Sequence, residues 1–170
     1  MRCFETAARS AVHRGLAYEK HVQAVLERIG VLTQSTGGSA DGGIDLHGTW
    51  RIRIPDHHQV QLPVVIQCKN EQKKCGIQYI REFETVLHRQ PKNTVGIFAA
   101  SAGFSVPSCR FLRSIPFPMI LATVVDDDIQ SFQMNSHAQA VFDYKLVTGS
   151  VYRNGVHRLC LIFDGMELVG

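Results

Sequence analysis

Three apolar runs in the middle of this sequence narrow its fold more than any other feature. They are Leu62–Lys69, Thr94–Ala99 and Met119–Val125, each rich in β-branched and aliphatic residues. Each has the length of a strand and lacks a regular polar alternation, so each reads as a strand buried on both faces. Helical spacing fills the stretches between them. Residues 76–89 carry Ile77, Ile80, Phe83, Val86 and Leu87 on one face until Pro91-Lys92-Asn93 breaks the pattern. Residues 106–114 read as a short helix containing Arg110 and Arg113. Strands joined through helices run parallel, and the helices then cover the sheet.

The flanks extend this plan. Residues 14–29 place Leu16, Tyr18, Val22, Val25, Leu26 and Ile29 at helical spacing, and Gly30 suits the stop. Val31-Leu32 opens a short strand. Ile44–Trp50 alternates, Arg51–Ile54 prolongs it, and Pro55–His58 reads as a turn. Pro63 is expected near the start of the following strand, where proline is tolerated. Asp126-Asp127-Asp128 reads as a strand end and helix cap. Val141–Val147 and Arg158–Phe163 flank Asn154-Gly155, a hairpin signal. That hairpin is either an appendage or an added sheet edge. The expected fold is therefore α/β, a central mixed sheet flanked by helices with a C-terminal β-hairpin extension. The expected division is a domain over residues 14–128, with 129–170 as a β extension packed on it.

Composition excludes several classes. A chain of 170 residues is one ordinary domain by size. No stretch approaches ~18 consecutive apolar residues, so membrane insertion is not expected. Lys and Arg number 18 against 15 Asp and Glu, a net charge of +3. That is a mild bias toward anionic partners. Cys3, Cys68, Cys75, Cys109 and Cys160 form no CxxC pair, which argues against a zinc ribbon or disulfide framework and for a reducing compartment. Arg2, Arg9 and Arg14 with one acid, Glu5, fit the tail of an organellar presequence or an ordinary lead into a helix.

The chemistry concentrates between Gly37 and Lys69. A Gly/Ser loop delivers Asp45 onto a strand, and a later apolar strand ends in Gln67-Cys68-Lys69. Gln67 and Lys69 are two apart and share a face. An Asp on a neighbouring strand sets an acid, an amide oxygen and an ammonium at one sheet end. Carboxylate and carbonyl oxygens suit Mg²⁺. A nearby Lys orients water and balances developing negative charge. Phosphodiester hydrolysis uses those parts. Glu19 on the first helix is a further candidate ligand.

The run GGSADGGIDL followed by VVIQCK resembles the Mrr-like branch of the PD-(D/E)xK, restriction-endonuclease-like nuclease superfamily, whose signature is D…QxK. Tyr18-Glu19 fits its preceding helix, Gly76–Phe83 the helix after QxK, and Phe98–Ser105 its strand-to-helix turn. The likeness covers about residues 14–128. In length, arginine-leaning start and appended C-terminus the chain is also similar to the fungal mitochondrial required-for-respiratory-growth family. The resemblance implies a restriction-endonuclease-like fold and a Mg²⁺- or Mn²⁺-dependent nuclease acting on DNA, with RNA as an alternative substrate. It implies that Asp45 is the primary metal ligand, Gln67 a neutral ligand, the Cys68 backbone carbonyl a third, Glu19 a helix acid, and Lys69 the residue that positions the attacking water. It also implies a mitochondrial matrix location.

Lys73, Lys74, Arg51 and Arg53 are candidates for contacts to nucleic-acid phosphates. Because Gln67 replaces an acid, a second reading stands beside the nuclease: an inactive module that binds nucleic acid or a mitochondrial protein. A homodimer is compatible with both, since a two-fold axis places one site on each strand.

Overall fold

The computed structural model describes the backbone of residues 2–36, 42–53, 59–153 and 155–168, and side chains from residue 12 onward except that of Arg153. The chain order is α1 (Arg2–Glu27), β1 (Val31–Ser35), β2 (Leu46–Arg53), β3 (Gln59–Lys69), α2 (Ile77–Leu87), β4 (Val95–Ala100), α3 (Val106–Leu112), β5 (Met119–Val125), β6 (Asp128–Met134), α4 (Ser136–Val141), β7 (Leu146–Arg153), β8 (Val156–Phe163) and β9 (Met166–Leu168). Strands β1 to β6 form one sheet in sequence order. The β3–β4 and β4–β5 pairs are parallel because α2 and α3 cross between them; β1–β2, β2–β3 and β5–β6 are antiparallel. No helix among the described residues is long and apolar enough to cross a membrane.

Each face of the sheet has its own core. One face packs Leu46, Trp50, Val64, Ile66 and Ile97 against Val22, Val25 and Leu26 of α1. The other packs Val65, Phe98 and Leu121 against Ile80, Phe83 and Leu112 of α2 and α3. Strand β3 therefore alternates between two buried layers. Val64 and Ile66 face α1, and Val65 faces α2, which sends Gln67 and Lys69 to the α2 side. Trp50 is fully buried, donates its indole N–H to the Ile29 carbonyl at 2.9 Å and meets Phe142 edge-on at 4.9 Å.

Several expectations need correction. Helix α1 begins well before residue 14. Pro63 lies mid-strand, opposite Thr49, where β4 has not yet covered β3: the β3–β4 ladder starts at Val64. The missing N–H then opens no gap in that ladder. Asp126–Asp128 caps no helix. Asp126 is left-handed (φ 50°), and the chain doubles back at once into β6 as a sheet edge. Val141 closes α4 rather than opening a strand; Asp143 and Tyr144 take φ of 51° and 59° before β7 starts.

The C-terminal hairpin is an appendage. β7, β8 and β9 make a separate antiparallel sheet. Leu146, Leu161 and Phe163 join it to the α1-side core. Gly155 at the hairpin turn has φ 81°, where L side chains are strained. The turn at Pro55–His58 lies outside the described residues, as does Ser39–Asp41.

Candidate active site

Asp45 stands immediately before β2, at the sheet end where β3 and β4 terminate. Its main chain is fixed on both sides. Its N–H donates to the Ile66 carbonyl at 2.9 Å, and its carbonyl accepts from the Thr36 N–H at 3.0 Å and the Thr36 hydroxyl at 3.1 Å. Its side chain is fixed as well: Oδ2 accepts the Cys68 N–H at 2.6 Å. The carboxylate is thus held between Gln67 and Lys69. Gly42 and Gly43 lead into it with φ of 64° and 87°. A Cβ on Gly43 would lie 3.2 Å from Val86 and 3.8 Å from the Gln67 amide nitrogen, so this turn packs closely over Gln67.

Gln67 presents the least satisfied polar atom of the site. Its Oε1 is buried and accepts no hydrogen bond from any described residue. Such a group ordinarily has a partner, so this oxygen is suited to an added one. Lys69 lies on the same face, with Nζ 5.4 Å from the centroid of Tyr79 on α2. Tyr79 donates its hydroxyl to Glu71 at 2.7 Å, and that bond raises the phenol's pKa. Ser101 closes the arrangement. Its N–H donates to the Lys69 carbonyl at 3.0 Å and its hydroxyl to the Glu71 carbonyl at 3.2 Å. An ammonium over an aromatic face is attracted to the ring, which positions Lys69.

Cys68 points the other way, toward α1. Burial pushes its thiol well above the usual range, and the charges of Asp45 and then Glu19 push it further. Glu19 is half-buried and acts on Cys68 from α1 as Asp45 does from β2. The adjacent Tyr18 is buried and donates its hydroxyl to the Val124 carbonyl at 3.1 Å, which pins this part of α1 to β5. Cys75 is raised to about 11, chiefly by burial and then by Glu71, with Lys69 opposing.

The structure brings Asp45 and Gln67 together at the Cys68 N–H, sets Lys69 on the same face as Gln67, and leaves Glu19 of α1 close enough to act on the Cys68 thiol. Among the described residues, no group of three or more His, Cys, Asp and Glu side chains gathers as a metal cluster. The predicted donor set is instead mixed, with an amide and a main-chain carbonyl. Lys73 and Lys74 are exposed in the turn after β3, at the site end. Arg51 and Arg53 are not at the site. They are exposed at the other end of β2, about 20 Å (Arg51) and about 26 Å (Arg53) from Asp45 at ~3.3 Å per residue. Tyr79, Glu71 and Thr36 were not singled out from sequence, and Ser101, expected to cap the following helix, leaves that role to Ser105. Tyr79 alone had a signal, an aromatic on α2 just off the apolar stripe of Ile80, Phe83 and Leu87.

Comparisons with known proteins give the family and the fold. A family model described as a restriction endonuclease, Mrr_cat, matches residues 13–126. The chain is 30% identical over 137 residues to an uncharacterised mitochondrial protein of Schizosaccharomyces pombe, covering 78% of this chain and 55% of that one. It therefore spans about half the length of the curated relative it matches. Among solved structures it is similar to the MspJI restriction endonuclease in complex with a 27-mer oligonucleotide: TM-score 0.50 and 18% identity over 72% of this chain and 28% of that one. The DNA modification-dependent restriction endonuclease AspBHI aligns at TM-score 0.49 and 18% identity over 65% of this chain and 29% of that one. The MspJI likeness bears out the expected restriction-endonuclease-like fold.

Proposed function

We propose, from the premise that this chain belongs to the Mrr_cat restriction endonuclease family, that it is a divalent-metal-dependent nuclease hydrolysing DNA phosphodiester bonds at Asp45, Gln67 and Lys69. The observation that carries the reading is the buried, unpartnered Oε1 of Gln67 beside a carboxylate clamped by the Cys68 N–H. Asp45, Gln67, the Cys68 carbonyl and Glu19 would hold Mg²⁺ or Mn²⁺. When bound, such an ion polarises the phosphate and acidifies a water. Water oxygen forms the new bond to phosphorus, the ester P–O bond breaks, and the leaving oxygen takes up a proton. Lys69 orients the water and balances charge on the phosphate, while Tyr79 keeps the ammonium in place. Lys73 and Lys74 hold the neighbouring backbone.

We take residues 14–128 as the unit that carries the reaction and 129–170 as the β extension on it, with β6 bridging the two. The S. pombe relative's mitochondrial designation supports a mitochondrial location, which we take to be the matrix. A homodimer would place one site on each strand of a duplex.

The test is cleavage of duplex, single-stranded, nicked and four-way-junction DNA, and of RNA, with Mg²⁺ or Mn²⁺. Metal-dependent cutting lost in Asp45→Ala and Lys69→Ala, with DNA binding kept, is the expected result. No cutting of any substrate, with binding kept, would replace the nuclease by the inactive binding module.

A further inference from the structure

We infer that the groove between α3 and β6 is a second binding site, for the phosphodiester backbone of the nucleic acid beyond the point of cleavage. The inference rests on the nuclease reading and extends it to a surface that the reaction itself does not use. The groove has a volume of about 510 Å³ and is lined by Phe104, Val106, Arg110 and Arg113 on one side and Gln133 and Met134 on the other. Its lining contains two guanidinium groups, an amide and no carboxylate. Arg110 and Arg113 are exposed, stand three residues apart on one side of α3, and form no ion pair with any described residue. Both arginines stand at the C-terminal turn of α3, where cations complement the helix dipole, but that does not account for the facing amide.

The sheet register ties this groove to the site. Gln67 pairs with Phe98, Phe98 with Leu121, and Leu121 with Gln133. Gln133 therefore lies in the same row and on the same face as Gln67, three strands away. At ~4.8 Å per strand the separation is about 14 Å, or about four base-pair rises of a duplex. The connection is rigid. Ser101, at the start of the turn into α3, bonds the Lys69 carbonyl, and Cys75 bridges to Phe104 beside it. A strand leaving the site across this face meets the two arginines, and guanidinium groups recognise phosphate through paired N–H donors.

The experiment measures binding of a fluorescent DNA duplex without divalent metal across a salt series, for wild type, Arg110→Gln/Arg113→Gln and Lys73→Gln/Lys74→Gln. The arginine pair should bind at least tenfold more weakly at low salt. Its log–log salt slope should fall by about 1.8, from ~0.9 per lost phosphate contact. Melting should be unchanged, and cleavage of a duplex too short to reach the groove should match wild type. If wild type binds and the arginine variant binds within twofold with the same slope, the groove assignment is overturned and the nuclease stands. If wild type neither binds nor cuts nucleic acid, both fall together. Where wild type binds and the Gln pair binds more weakly, Arg110→Glu/Arg113→Glu must weaken binding further, and equal effects would also overturn the assignment.

Discussion

The two ends of strand β2 both carry charged side chains and differ in what the chain does around them. At one end Asp45 is fixed by Thr36, Ile66 and Cys68, faces Gln67 and lies beside Lys69. At the other, Arg51 and Arg53 alternate with buried Trp50 and Ile52 and simply project outward. The difference comes from topology. Parallel strands β3 and β4 both finish at the Asp45 end, so their connections to α2 and α3 converge there, and ligand sites in such sheets form at those strand ends. At the Arg end β3 has no β4 alongside, so no pair of parallel strands finishes there. Charge therefore becomes a site where main chain closes around it.

Asp45 is the point at which that distinction breaks most completely. Asp45→Asn keeps an oxygen for the Cys68 N–H and removes the charge. Cleavage should fall by at least 10²–10³-fold, on the scale of losing one charge-stabilising group, with melting nearly unchanged. Cleavage within tenfold of wild type would move the chemistry elsewhere.

Gln67 sharpens the comparison with opposite signs. Gln67→Leu removes a buried oxygen that no described residue satisfies. Stability should hold or rise by up to about 1 kcal/mol while cutting is lost. Denaturant unfolding and a cleavage assay read the two effects, and a variant that unfolds more easily would show that Gln67 is a structural residue. Next in size is Tyr79→Leu, which should slow cleavage about tenfold through a displaced Lys69, on the scale of a cation–π contact. Tyr79→Phe keeps the ring and should retain most activity.

Much of this end was legible in the sequence and some was not. Two-residue spacing alone put Gln67 and Lys69 on one face. The clamp of Cys68 N–H on Asp45 was not legible, because it depends on where a main-chain N–H points at the end of a ladder. Tyr79 under Lys69 was hidden for a similar reason: the contact joins a strand to the following helix, and neither element's periodicity reports their separation. The end of α4 was missed because Asp143 and Tyr144 adopt left-handed backbone without a glycine to announce it. β6 was missed where the β5–β6 register shifts between Thr123 and Val124, which blurs the alternation of an edge strand.

The thiols offer a pH test of the site-end packing. Cys75 rises from 9.0 to about 11, and Cys68 also lies above its ordinary value, both chiefly through burial. Above pH 9 the unfolded chain has released these protons while the folded chain retains them, so stability falls as pH rises. The contribution is complete below pH 9 and for Cys75 is lost progressively toward pH 11. Chemical unfolding at pH 8, 9 and 10 should show that decline, and Cys75→Ala should flatten it. An unchanged slope in the variant would place the ionisation elsewhere.

The smallest effect belongs to the far end of β2 and tests the comparison from its quiet side. Arg51→Gln/Arg53→Gln removes two charges about 20 and about 26 Å from Asp45 along the strand. Both side chains are exposed, and surface changes of this kind shift stability by roughly ±0.5 kcal/mol or less. Cleavage should stay within about twofold of wild type, because that end lies at least about 20 Å from Asp45 along β2 at ~3.3 Å per residue. The duplex salt slope should change by less than ~0.9, which is less than one phosphate contact. A fall of ~1.8 in that slope would place nucleic acid across both ends of β2. Main-chain convergence would then locate the chemistry but not the limits of the bound strand.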